Sequence, residues 1–459
     1  MSEWDGKKVV VLGLARQGKA LARYFSAREA EVVLSDLKAS KELEKEQLEL
    51  VDLKVKYVLG EHPTSLLENA DILCLSGGVP ADIPLAEKAR EEDIPITNDA
   101  QIFLENCPAP VIGITGSAGK TTTTTLVARI AEQAFGDTDR TVWLGGNIGR
   151  PLLNDIGEMK SSDVVVMELS SFQLELMTMA PQIGAYLNLT PDHLDRHKTM
   201  EKYASAKARI LLNQSGGSRM VLNRDDFRVW ELKDKVIDRL ISFGMDDPID
   251  GEGSYISGGQ IRMRIEGIDS YICSVEQVPL IGKHNLSNVL AATAIVAAAD
   301  LPLEAIEPAI EGFEGVPHRL EFVRTLAGVD WYNDSIATTP DRALAAVHAF
   351  SRPLVLIAGG RDKDLNWDTF AVEVLQAVEY LILFGEAGEK IERAVKNVLG
   401  EEEFLRMRRC ERMEDAVGIA KDVAEEGDVV VLSPGATSFD AFSNYEARGD
   451  KFRDLVRAM

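Results

Sequence analysis

The run Thr115-Gly116-Ser117-Ala118-Gly119-Lys120-Thr121 follows the apolar stretch Ala109–Ile112 and continues as threonine through Thr125. A glycine-rich turn ending in Gly-Lys-Thr at the start of a helix is built for phosphate. Backbone N–H groups and the helix N-terminus point at the anion, and the lysine adds charge. The common P-loop signature carries a further glycine five residues before its Gly-Lys pair, a position held here by Ile114. The shorter loop leaves Gly116, Ser117, Ala118, Gly119 and Lys120 to cradle phosphate, with the Thr121 hydroxyl in reach of a magnesium ion. Thr122 to Thr125 can equally be no more than the first helical turn.

Three residues downstream have the types that would complete such a site. Glu168 ends the β-branched run "DVVVMELSS", and a carboxylate at a strand tip beside a phosphate loop is a hard oxygen ligand for Mg²⁺. Taken alone it is equally a capping or solvated residue. His193 sits in "NLTPDHLDRH" between Asp192 and Asp195, a candidate for metal or proton chemistry, although a lone histidine is more often structural. His197, a few residues on, reads as a solvated surface group. Lys207 lies on a helix expected in "YASAKARILLN", where composition alone makes it a surface residue.

The elements that would position these residues recur three times as a β-branched strand, a glycine-rich turn and a helix. The first instance is "KKVVVLGLARQGKALARYF", followed by "EVVLSD" ending on Asp36, where a dinucleotide fold places an acid on a ribose. Gly13-x4-Gly18 is not the G-x-G-x-x-G fingerprint, so a nucleotide-like ligand fits better than a nicotinamide cofactor. "ADILCLSGGVP" adds another strand with a glycine-rich end at Ser76, Gly77 and Gly78. The second instance starts at the phosphate loop, runs through a β-rich excursion around residues 240–280, and continues into the helix "NVLAATAIVAAAD". The third contains "GVDWYNDS", "RPLVLIAGGRDK", "YLILFGEAG" and "DVVVLSPGATSFD". The pattern predicts an α/β chain of three domains: a Rossmann-like domain over residues 1–97, a central P-loop-type domain over 98–315 and a second Rossmann-like domain over 316–459.

Composition excludes several classes. The 459 residues include 45% hydrophobic side chains, enough for several cores. A net charge of −24 argues against a nucleic-acid partner, which needs clustered Lys and Arg. Any phosphate ligand must be met by local cations, metal ions and backbone dipoles. The four cysteines are far apart and suit neither a zinc knuckle nor a dense disulfide framework, so a reducing compartment is expected. No signal-peptide pattern and no apolar run of about 18 residues is visible, which predicts a cytoplasmic protein without a membrane span. A monomer is expected.

Taken in order, "TGSAGKTT", "GGNIGRP", "ELSSFQLE", "NLTPDHLDRH", "AKARI", "GKHNLSNVLAA", "PHRLE" and "LSPGATSFDAFSNYEARG" resemble the Mur ligase family of peptidoglycan synthesis. The resemblance covers nearly the whole chain. "SSFQLE" resembles the D-glutamate-adding branch rather than the alanine-, diaminopimelate- or dipeptide-adding ones. The Rossmann-like first domain points the same way, because the related folylpolyglutamate synthases lack it.

The resemblance implies an ATP-dependent ligase that joins D-glutamate to UDP-N-acetylmuramoyl-L-alanine through an acyl phosphate. It implies that residues 116–120 hold ATP together with Thr121, Thr122, Asn285, Asn288, Arg319 and Asp334. Thr121 and Glu168 would hold one Mg²⁺; His193 and Lys207, carbamylated in this family, would hold a second. Asn147 would contact the reacting groups. Leu14, Arg16, Gly18, Asp36, Ser76, Gly77 and Gly78 would line the UDP-sugar crevice of the first domain. Thr338, Lys363, Ser438 and Tyr445 would form the glutamate pocket of the third.

One departure stands out. Many family members carry Asp-Ser-Lys-Ala-Thr where this chain has Asp334-Ser335-Ile336-Ala337-Thr338. The missing cation leaves an L-glutamate-adding variant as an alternative. From other classes, a P-loop-type ATPase regulator would leave Glu168, His193 and Lys207 without a use. A non-catalytic nucleotide-binding module is compatible with the phosphate loop alone.

Overall fold

The computed structural model describes residues 3–248, 250–362, 365–399 and 406–459. Among these residues three sheets form, each built on a run of β-branched and aliphatic residues too apolar to face water on either side.

The first sheet takes β1 (Lys8–Leu12), β2 (Glu31–Asp36), β3 (Val55–Leu59), β4 (Ile72–Leu75) and β5 (Ile96–Thr97) in the order β3-β2-β1-β4-β5. All of its pairs are parallel. The chain therefore reverses direction across the sheet at β1, whose C-terminal end becomes the crevice between β2 and β4. Val9, Val10, Val11 and Leu12 are fully buried.

The second sheet takes β6 (Val111–Thr115), β7 (Val142–Gly146), β8 (Val164–Glu168), β9 (Ile183–Tyr186), β10 (Arg219–Asn223), β11 (Arg239–Phe243), β12 (Glu252–Ser257), β13 (Gln260–Ile265) and β14 (Ile268–Ser274). Their order is β14-β13-β12-β11-β10-β9-β6-β8-β7. β6 lies between β8 and β9, so a second switch point opens at its C-terminal end, where the phosphate loop begins. The β-rich excursion is the antiparallel meander β12–β14 at the sheet's far edge.

The third sheet takes β15 (Glu321–Leu326), β16 (Val329–Asn333), β17 (Leu354–Gly359), β18 (Tyr380–Phe384), β19 (Arg406–Arg409) and β20 (Val429–Gly435) in the order β15-β16-β20-β17-β18-β19. β20 is buried along its whole length and carries β16 on one side and β17 on the other.

Packing divides the chain into two compact units, residues 1–278 with 286–311 and residues 279–285 with 312–459. The first unit holds two sheets because one hydrophobic cluster runs through both: Val9, Leu14 and Phe25 share it with Phe103, Leu152, Met167 and Tyr186. The helix Lys283–Ala298 belongs to both units. Among the described residues no helix is long and apolar enough to cross a membrane.

Candidate active site

β6 hands directly to the phosphate loop, and the helix Lys120–Phe135 starts from Gly119 in a left-handed conformation (φ +81°). The backbone there favours glycine, and a Cβ would lie 2.2 Å from Asn288 Oδ1, so that side chain would have to shift to admit one. Asn188, just after β9, grips the loop from the other side, accepting from Ala118 N at 2.8 Å and donating to Ala118 O at 3.0 Å. Ser117 turns its hydroxyl inward to Thr190 O (2.9 Å) and the Tyr203 hydroxyl (3.1 Å). Lys120 folds back over the loop and donates to Gly116 O (2.8 Å) and Ser117 O (3.0 Å). Thr122, Thr123 and Thr124 are buried as part of the first helical turns, while Thr121 faces the site.

Parallel pairing places Glu168, the last residue of β8, opposite Ile114 of β6. Glu168 is 2% exposed as a residue, and each carboxylate oxygen accepts one hydrogen bond, Oε2 from Thr121 Oγ1 and Oε1 from Asn147 Nδ2, both at 2.8 Å. Asn147 is fixed by its own backbone as well, donating from N to Glu168 O at 2.9 Å. The preceding Gly146 (φ +94°) permits that approach, since a Cβ would sit 2.3 Å from the same carbonyl. A hydroxyl and a buried carboxylate beside a helix N-terminus are hard oxygen donors that suit Mg²⁺. Among the described residues no group of three or more His, Cys, Asp or Glu forms a ready-made metal cage. An ion here would therefore have to take part of its coordination from phosphate oxygens and water.

Lys207, on the helix Met200–Leu212, is 1% exposed, with Nζ donating to Gly116 O (2.7 Å) and Thr115 Oγ1 (3.4 Å) and lying 4.9 Å from the Tyr203 ring. Burial pushes its pKa well below the ordinary lysine range; the charge of Lys120 pushes the same way, and Asp192 and Glu168 oppose it. His193 takes a left-handed conformation (φ +54°), with Nε2 3.5 Å from the Asp192 carboxylate and its side chain 42% exposed.

In the first sheet, Asp36 at the end of β2 accepts from Leu14 N (2.8 Å) and Lys38 N (3.0 Å), which ties the glycine turn after β1 to β2. Gly18 is required by contact: a Cβ would fall 1.8 Å from Gly13 O. Ser76 Oγ donates to the same carbonyl (3.1 Å), and Gly77 N donates to Gln17 Oε1 (2.8 Å). Arg16 reaches across to the "GGNIGRP" turn, donating to Gly149 O at 2.7 Å.

In the second unit, Asp334 follows β16 and is buried, accepting from Ser433 Oγ (2.7 Å) and Leu320 N (3.2 Å). Burial raises its pKa to about 7, against the opposing Ser433 hydrogen bond and the charges of Arg319 and Arg342. Ser438 is buried after β20, and Tyr445 begins the final helix Tyr445–Ala458. The buried Arg448 joins these loops, donating to Ser335 Oγ (2.9 Å), Ser335 O (2.8 Å) and Ala436 O (3.0 Å). Thr338 and Ile336 are half-buried in the loop between β16 and the helix Pro340–Val347. Lys363 lies outside the described residues, as does the side chain of Asp195.

Three family profiles match in succession: a Mur ligase MurD-like N-terminal domain over residues 7–98, a Mur ligase middle domain over 114–296 and a Mur ligase glutamate ligase domain over 318–435. The UDP-N-acetylmuramoylalanine–D-glutamate ligase of Symbiobacterium thermophilum is 40% identical over 99% of this chain and 98% of its own length. The chain belongs to the Mur ligase family. The corresponding Clostridium tetani ligase is 39% identical over 98% of this chain and 96% of its own. The crystal structure of the Thermotoga maritima UDP-N-acetylmuramate–alanine ligase MurC shares the fold, with a TM-score of 0.58 at 19% identity, covering 98% of this chain and 99% of that one. The three-domain α/β architecture is that of Mur ligases.

Within this Mur ligase the fold brings Lys120, Thr121, Asn147, Glu168 and Lys207 around the tip of β6, with Asn288 packed against Gly119. Asn285 lies one turn earlier on the same helix as Asn288, its side chain donating to Ile281 O (2.8 Å). Two surface expectations are reversed. Lys207 is buried because its helix lies against the phosphate loop. His197 is 4% exposed, with Nε2 2.9 Å from Ser171 Oγ and its ring stacked on Phe172 at 5.1 Å. Asn188 and Gln17, which bind the backbones of Ala118 and Gly77, were missed. Their only signal is a polar residue beside a strand tip or glycine turn, which does not reveal the partner strand.

Proposed function

We propose that this Mur ligase uses ATP to join D-glutamate to UDP-N-acetylmuramoyl-L-alanine in peptidoglycan precursor synthesis. The observation that carries the reading is the Glu168 carboxylate, buried and held by Thr121 and Asn147 beside the Lys120 loop, in a chain 40% identical over its length to a ligase of that name. The domain boundaries near 97 and 315 would then separate sugar-nucleotide, ATP and amino-acid functions.

Lys120 and the N–H groups of residues 116–120 would hold the β- and γ-phosphates, with Asn288 keeping the loop closed behind Gly119. Asn285, Arg319 and Asp334 would serve the nucleotide's other parts. Thr121 and Glu168 would hold a first Mg²⁺, and His193 and Lys207 a second. Bound there, metal ions would neutralise the crowded charge of phosphoryl transfer. Burial and the charge of Lys120 both favour the neutral amine of Lys207, the form that would add CO₂ with loss of a proton to give a carbamate, which would supply anionic oxygen in place of a cation. The remaining N–H can still donate to Gly116 O.

Asn147 would orient the substrate carboxylate toward the γ-phosphate. Attack gives an acyl phosphate and ADP; the amino group of glutamate then displaces phosphate, forming the amide. Leu14, Arg16, Gly18, Asp36, Ser76, Gly77 and Gly78 would serve the uridine diphosphate. Thr338, Lys363, Ser438 and Tyr445 would receive glutamate.

The test is phosphate release from ATP with UDP-N-acetylmuramoyl-L-alanine and D-glutamate, L-glutamate or neither. Release that requires D-glutamate is expected. A requirement for L-glutamate would make Ile336 a change of specificity, and release indifferent to either amino acid would remove the ligase assignment.

A further inference from the structure

Arg196 lies three residues beyond His193, in the same turn, with its backbone N donating to His193 O at 3.1 Å. Its side chain is half-buried and leaves the second sheet altogether. Nη1 donates to Gly77 O (3.1 Å) and reaches Gly78 O at 3.5 Å, and Nη2 donates to Val79 O (3.0 Å). Three successive carbonyls of the loop after β4 thus converge on one guanidinium, whose planar fork of donors suits such a set. The cation is held in place by the Phe172 ring 4.0 Å beneath it, and that ring is stacked in turn on the buried His197.

The consequence lies on the opposite edge of each peptide. A trans peptide points its N–H away from its C=O. The Gly77 carbonyl is turned to Arg196, so the Gly78 N–H is turned away from it. Gly77 N is used by Gln17, Val79 N by Ser76 O (2.8 Å), and residue 80 is a proline without an N–H. The hydrogen bonds of the described residues leave the exposed Gly78 N–H as the donor this loop offers to a ligand.

We propose that Arg196 is the positioning residue of the sugar-nucleotide loop. It gathers the carbonyls of residues 77–79 so that the Gly78 N–H faces the anionic diphosphate of the ligand, and it hangs that loop on the turn carrying His193. The ligand class rests on the ligase reading; the gathering of the loop does not.

The test uses the full chain with Arg196→Met, which keeps the aliphatic packing on Phe172, and Arg196→Lys, which keeps a charge but not the fork. Steady-state KM is measured separately for UDP-N-acetylmuramoyl-L-alanine, ATP and D-glutamate, and amide hydrogen exchange is followed over residues 76–79. Loss of a charged donor to several carbonyls is expected to raise the sugar-nucleotide KM about tenfold in the Met variant and less in the Lys variant. The other two KM values and kcat stay within about threefold, and exchange at Val79 speeds up. Unchanged exchange, or a parallel rise in all three KM values, overturns the proposal. A wild-type protein that makes no product with either glutamate enantiomer brings down the ligase reading, and the exchange measurement then decides the role of Arg196 by itself.

Discussion

In the proposed reaction Glu168 and Lys120 would act through charge at fixed points, and an isostere of the first and a truncation of the second test this directly. Glu168→Gln keeps the shape but replaces with an NH₂ one of the two oxygens that now accept hydrogen bonds from Thr121 and Asn147. The Mg²⁺ concentration for half-maximal turnover is expected to rise about 10–100-fold, as when metal-site partners are lost. A magnesium titration of initial rates checks it, and an unchanged midpoint would remove Glu168 from the metal site. Lys120→Ala is expected to lower kcat by about 10³-fold in a chain that still melts cooperatively, because charge stabilisation in a preorganised site is the main catalytic term. Lys207 adds a pH signature. Its folded pKa lies below the ordinary 10.5, so between the two values the unfolded chain binds one more proton and stability rises with pH. In CO₂-free buffer, melting temperatures from pH 7 to pH 9 should shift in favour of wild type relative to Lys207→Met, by up to about 1.4 kcal/mol per pH unit. Parallel curves would mean that the folded pKa of Lys207 is not lowered into this pH range.

At the scale of elements, turns as well as strands set the geometry of the site. Gly146 and Gly149 both have positive φ in the "GGNIGRP" turn, but only Gly146 lies against another backbone. Gly149→Ala should cost about 1–2 kcal/mol for the left-handed conformation alone. Gly146→Ala adds a clash with Glu168 O and is expected to cost about 1–3 kcal/mol more and to displace the carboxylate. Chemical denaturation of the two variants with their turnover checks the order, and equal losses would count against it. The strands were readable beforehand: Val9–Leu12, Val164–Met167 and Val429–Leu432 are β-branched or aliphatic runs, and each became a buried parallel strand. The antiparallel meander β12–β14 was readable only as β-rich, because local pattern does not say which edge a strand joins.

For the whole molecule, a net charge of −24 sets a field that opposes every anionic substrate. Local cations and metal ions act within a few ångströms, whereas this repulsion is long-ranged and is screened over about 8–10 Å at physiological salt. The KM for ATP at saturating Mg²⁺ is therefore expected to fall about twofold between 20 and 150 mM KCl. Initial-rate measurements at fixed Mg²⁺ check this, and a KM that rises with salt would show that local cations dominate the encounter.

The sequence by itself determined the strand-turn-helix rhythm, the phosphate loop and the order of the family's motifs, because each is carried by neighbouring residues whose chemistry is local. It also marked Glu168 and His193 as polar groups at strand and loop ends. Tertiary structure decided what those groups meet. The β8-β6-β9 order brings Glu168 to Thr121 and Asn188 to Ala118. Helix packing on the loop buries Lys207 and so pushes its pKa down from that of a surface cation. Arg196 finds its carbonyls more than 110 residues away, as the separations of 117 to 119 positions record. Strand order and burial arise from the packing of distant segments against one another, which no short window of sequence contains.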